Sequence, residues 1–77
     1  MDEAQKKSIE HIIHSIRLNE ETLTRLADEC EESAHLMSGA IDGKGTLSSR
    51  ARALRERAEE LDTWATEWQA WLNSLSN

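Results

Sequence analysis

The sequence predicts an all-α fold: an antiparallel two-helix hairpin of coiled-coil type that dimerises into a four-helix bundle. Three observations predict it. Leu47, Ala51, Leu54, Ala58, Leu61, Ala65, Trp68, Leu72 and Leu75 recur every three or four residues with no polar interruption, a heptad seam that marks a long helix packed along others. The chain has no proline, and its only glycines, Gly39, Gly43 and Gly45, fall in one short window, so there is one break. At 77 residues the chain makes one domain at most, and a lone hairpin of that size seldom builds a sufficient core.

Taken in order, Asp2 followed by Gln5 reads as a capping box that starts helix 1 near residue 3. Ile9, Ile12, Ile13, Ile16, Leu23, Leu26, Cys30, Ala34 and Met37 carry that helix to about residue 40. Two interleaved seams fit it: Ile9-Ile12-Ile16-Asn19-Leu23-Leu26-Cys30 and Ile9-Ile13-Ile16-Glu20-Leu23-Ala27-Cys30. Each is polar in the middle, so the helix is secure and its inner face is open. A turn over about residues 41–46 follows, with glycine able to supply a left-handed cap and Thr46 an N-cap. Helix 2 then spans about residues 47–75, opened by Leu47. Its Ala51, Ala58 and Ala65 leave room for a neighbour to approach closely.

A turn centred near Lys44 sets residue i opposite roughly residue 87 − i. Met37 then faces Ala51, Ala34 faces Leu54, Cys30 faces Ala58, Leu26 faces Leu61, Leu23 faces Trp64 and Ile16 faces Trp71. Large residues meet small ones near the turn, and large meets large at the open end. That end carries Trp64, Trp68 and Trp71 on one side and four isoleucines within eight residues on the other. One hairpin cannot cover so wide a stripe. Ile9, Ile13, Ile16, Trp64, Trp68 and Trp71 are therefore the expected dimer and hot-spot residues, with Trp64 or Trp71 favoured as the exposed anchor. Asn19 is expected to accept a hydrogen bond from the indole N–H of Trp68.

The large–small layering of this two-helix seam is similar to that of the plasmid Rop-like dimeric bundles, whose family role is RNA binding. The resemblance implies the bundle architecture. No motif of the chain aligns with theirs, and the concentrated basic face that RNA binding needs is lacking.

A net charge of −6 argues against coating nucleic-acid phosphates or adsorbing to anionic membranes. The basic cluster Arg50, Arg52, Arg55 and Arg57 is expected to be shielded by Asp28, Glu29, Glu31 and Glu32 across the hairpin. Glu59, Glu60, Asp62 and Glu67 have no Lys or Arg from residue 58 to the carboxyl end, and Glu20 and Glu21 fall in the same zone. These six acids make the expected docking face for a larger protein with a basic surface.

Candidate chemistry is sparse. Asp42-Gly43-Lys44-Gly45-Thr46-Leu47-Ser48 resembles the centre of an EF-hand loop, but Ala40, Lys44 and Ala51 occupy three ligand positions, which argues against calcium. His11 and His14 lie three apart, with Glu10 nearby; two histidines are weak metal candidates unless a dimer brings two pairs together. His35 follows Glu31 by four and suits a local helix pair. Cys30, the only cysteine, rules out an intrachain disulfide and reads as a seam residue with no base to activate it. No catalytic constellation or cofactor motif stands out, so the expectation is a non-enzymatic protein.

The preferred functional expectation is an acidic interaction module that binds and modulates or blocks a basic, nucleic-acid-binding protein, as a phage or mobile-element inhibitor would. The alternatives are an adaptor or secretion-type chaperone recognising an apolar helix, and a metal-sensing helical dimer. Direct binding of nucleic acid through the four arginines is a further, weaker possibility. With no apolar run of signal-peptide or membrane-span length, the default location is cytoplasmic.

Overall fold

The computed structural model describes residues 2–36 and 43–76. They form two helices, α1 over Glu3–Leu36 and α2 over Gly43–Ser76, each of 34 residues. The capping box forms at the start of α1. The Gln5 N–H donates to Asp2 Oδ1 at 2.8 Å, and the Asp2 N–H donates to Gln5 Oε1 at 3.2 Å. Each bond satisfies a backbone donor that the first turn of a helix leaves without an internal acceptor.

Helix α2 begins at Gly43, four residues ahead of the expected Leu47. Glycine in a helix costs only about 1 kcal/mol relative to alanine, so Gly43 and Gly45 weaken a first turn without forbidding it. Thr46 consequently lies inside α2 and is not its N-cap. Residues 37–42 lie outside the described residues, and with them Met37, Gly39, Ile41 and the expected end of helix 1 near residue 40.

The two helices run antiparallel: Arg17 meets Asp62, while Asp28 and Glu31, further along α1, meet the earlier Arg55. The inner face of α1 is the Ile9-Ile13-Ile16-Glu20-Leu23-Ala27-Cys30 seam. Ile9, Ile13, Ala27 and Ala34 are buried there, whereas Ile12 and Leu26 of the other candidate seam are more than a third exposed. On α2 the buried row is Ala51, Ala58, Ala65 and Leu72, one residue per heptad.

Five of the eight buried apolar residues are alanines, and no large side chain is fully buried among the described residues. The reason is geometric. Alanine at the contact line lets the helices approach, and the large residues of the other heptad position then straddle the line. Leu23, Leu54, Leu61 and Trp68 are half-buried as a result. The one cluster of large buried side chains sits at the open end, where Ile9, Ile13, Ala65 and Leu72 pack together beneath Ile16 and Trp68. Full burial of an isoleucine or leucine contributes roughly 1.5–3 kcal/mol each, so Ile9, Ile13 and Leu72 are the largest single contributors among the buried residues.

The same cluster corrects the register. Ile9 shares a groove with Trp71, Thr24 with Ala58, and Ala34 with Ser48. Residue i therefore lies opposite roughly residue 81 − i, about one and a half turns from the expected pairing. The physical cause is the early start of α2, which moves the centre of the connection away from Lys44. Asn19 thus falls near the level of Asp62, and no hydrogen bond joins it to Trp68 among the described residues.

The hairpin measures 57 × 15 × 11 Å, with a radius of gyration of 17.4 Å. A compact domain of this length would have about 11–12 Å. Each helix has a single neighbour, and the core is one line of contacts. No helix among the described residues is long and apolar enough to cross a membrane.

Candidate functional site

The helical repeat gives this rod two unlike flanks. Gln5, Ile12, Asn19 and Leu26 recur every seven residues, as do Arg57, Trp64 and Trp71, so each set forms one row. Gln5, Ser8 and Ile9 line a groove with Trp71 and Leu75, which places both rows on the same side of the hairpin. On the other side, Glu20 and Thr24 line a groove with Arg55, Ala58, Glu59 and Asp62.

The first flank is apolar toward the open end, with Arg57 of its row nearer the connection. Trp64 is 58 % exposed, Trp71 48 % and Leu75 45 %, beside the partly exposed Ile12 and Leu26. Trp68 and Trp71 meet edge to face, with ring centroids 5.8 Å apart at 85°, a favoured aromatic geometry that fixes the orientation of Trp71. The expected hot-spot set is divided by this arrangement. Ile9 and Ile13 belong to the hairpin's own core, Ile16 and Trp68 cover it, and Trp64 and Trp71 stand outside.

The second flank is built from ion pairs. The Arg17 guanidinium donates to Asp62 across the hairpin and to Glu20 at 3.0 Å within α1. Arg55 donates to Glu31 at 2.9 Å and to Asp28 at 2.8 Å. These hydrogen bonds hold both guanidiniums above their ordinary range. The Arg55 hydrogen bond also holds the Glu31 carboxyl below the usual carboxylate range, with the charge of Arg55 acting in the same direction.

Three of the six acids of the expected docking face form ion pairs. Glu20 and Asp62 are bound by Arg17, which reaches over from α1, and Glu60 pairs with Arg57 of its own helix at 3.6 Å. Of the four arginines expected to be shielded by Asp28 to Glu32, Arg55 is the one that pairs with that stretch among the described residues. Among the described residues Glu21, Glu59 and Glu67 form no ion pair. They are also spread around the rod: Glu59 borders the charged groove, Glu21 lies beside Arg25 and Asp28, and Glu67 lies on α2 between Trp64 and Trp71 in sequence. Sequence reasoning missed Arg17. The available signal was its position three residues before Glu20, which marks a local pair but not the cross-helix one.

His11 and His14 are exposed on the outer face of α1, away from the seam. Among the described residues no three His, Cys, Asp or Glu side chains gather as a metal would require. Cys30 is a free, half-buried thiol between Ala27 and Ala34 on the seam. Near the connection, Arg52, Arg55, His35 and Ser48 line an open hollow with Glu31 and Glu56, a mixed-charge surface whose Arg55 is already engaged.

The structural class is thus an antiparallel helical hairpin with one apolar and one ion-paired flank. Compared with protein-family models, with curated proteins and with solved structures, the chain matches none.

Proposed function

We propose that the chain is a non-enzymatic protein–protein interaction module that works as a homodimeric four-helix bundle and binds a larger protein with a basic, nucleic-acid-binding surface, modulating or blocking it. The observation that carries this reading is the sidedness of the hairpin. Its apolar flank suits helix packing against a second copy, and its remaining surface is acidic, with a net charge of −6 per chain. Dimerisation doubles that charge on one rod, which steers a basic partner from a distance and disfavours nucleic acid itself.

The test uses the full chain as bait at low and at high salt, with Glu21→Lys, Glu59→Lys and Glu67→Lys combined in a second bait. These three carboxylates are free of ion pairs, so the hairpin keeps its latches. A basic partner held by the native chain at low salt, and lost both at high salt and on charge reversal, supports the reading. A partner retained by the reversed chain overturns it. One observation favours a second reading, an adaptor that takes an apolar helix: the groove between Ser8, Ile9, Trp71 and Leu75 is open at one end of the rod. In that case binding persists at high salt and is lost in Trp71→Ala.

A further inference from the structure

We infer that two copies of this chain join through the Trp64–Trp71 flank with both interhelical connections at the same end of the bundle, so that α2 of each copy lies on α1 of the other. This rests on the homodimer reading above and adds the surface and the arrangement. The exposed apolar side chains of the flank, Trp64, Trp71 and Leu75 on α2 with Ile12 and Leu26 on α1, lie together on one side of the rod and call for a covering surface.

The flank is also complementary to itself. On α1 the row Gln5, Ser8, Ile12, Ser15, Asn19, Thr22 and Leu26 carries no charge, and Glu29 is the first charged residue of its continuation toward the connection. Ser8, Ser15, Asn19 and Thr22 along it are short. On α2 the matching row is bulky toward the open end, with Trp64, Trp71 and Leu75 standing out from the surface, while Arg57 of the same row lies nearer the connection and pairs with Glu60. A two-fold axis along the rod sets bulky on small twice over, as a closed, isologous contact requires. It leaves the ion-paired flank of each hairpin outside.

The alternative two-fold, with connections at opposite ends, lays α2 on α2. The midpoint of Gly43–Ser76 falls between Glu59 and Glu60, so the polar middle of α2 would then lie beside its own copy. Trp64 and Trp71 would fall near Glu56 and Ser49, at the end of the rod where the apolar residues are few. Apolar surface set against polar disfavours that arrangement. With connections together, the apolar open ends coincide.

The experiment pairs molar mass with one distance. Light scattering on the full chain at micromolar concentration is expected to give a dimer. The Trp64→Ala/Trp71→Ala double variant and, separately, Ile12→Arg are expected to give monomers; Ile12 is partly exposed, so its substitution spares the hairpin core. A spin label at Lys7→Cys, in a Cys30→Ser background, is expected to read about 20–30 Å between copies, the width of a four-helix bundle. A dimer that survives Ile12→Arg, or a label distance approaching the 57 Å length of the rod, overturns this arrangement and leaves the dimer reading standing. A folded monomer of the native chain overturns both.

Discussion

Arg17 on α1 donates to Asp62 on α2, 45 residues away in sequence, and the same nitrogen donates to Glu20 three residues along its own helix. Glu20 occupies the heptad position shared by Ile13, Ala27 and Ala34, where an apolar residue is the rule, and its side chain is only 25 % exposed. A carboxylate is tolerable at that place because Arg17 covers it.

Replacing Arg17 by Gln is therefore expected to destabilise the hairpin more than replacing Asp62 by Asn. The first change strips the half-buried Glu20 of its counter-charge, and the second leaves the Arg17–Glu20 pair intact. Urea unfolding of both variants at low and high salt measures this, with the difference shrinking as salt screens the charges. Equal losses would show that Glu20 needs no partner.

Glu31 gives the stability a defined pH dependence. Its carboxyl is lowered below the ordinary 4.5 by the Arg55 hydrogen bond first and by charge second. A depressed folded-state value means that the native state favours the ionised form. Its contribution is complete above the unfolded value and is lost as pH falls through the folded one. Thermal melts of the native chain and Glu31→Gln should differ by a constant amount above pH ~5 and converge below it, because the ordinary value lies near 4.5. A gap that is unchanged into strong acid would mean that the Arg55–Glu31 bond contributes nothing.

The alanine seam predicts a sharp contrast between two positions five residues apart on α2. Ala65 is completely buried against the Ile9–Ile13 cluster, so Ala65→Leu forces the helices apart and costs about 1–3 kcal/mol by overpacking. Ala70 is exposed, and leucine there changes stability by no more than about 0.5 kcal/mol. Denaturant midpoints for the two variants decide it, and equal effects would remove the close approach from the account of the fold.

The α2 seam was legible in the sequence because Leu47 to Leu75 repeats without a polar break. The inner face of α1 was not. Asn19 and Glu20 interrupt its two candidate seams equally, and the choice depends on Arg17, whose reach is a tertiary fact. Register was misjudged for a related reason. Thr46 and Leu47 look like a helix start, yet α2 begins at Gly43, and a shift of a few residues in the connection moves every opposing pair. The exposure of Trp64 and Trp71 followed from their place beside the strict seam. The Arg17–Asp62 pair was missed because a charge pattern read along one helix omits the cations on the other.

The choice of seam leaves Asn19 outside the hairpin core, in the row with Ile12 and Leu26, one heptad from each. A single polar residue in such a row lowers association strength and fixes register, as buried asparagines do in coiled coils. If that row meets the tryptophans of a second copy, Asn19→Leu should tighten self-association by on the order of tenfold, since burying even part of a leucine contributes about 1–2 kcal/mol. The added apolar surface should also permit neighbouring registers, so the label at Lys7→Cys would show a broader distance distribution. Dilution experiments following the emission of Trp64 and Trp71, which shifts to the red as they return to water, read the dissociation constant directly. Weaker or unchanged association in Asn19→Leu would place this row outside the interface.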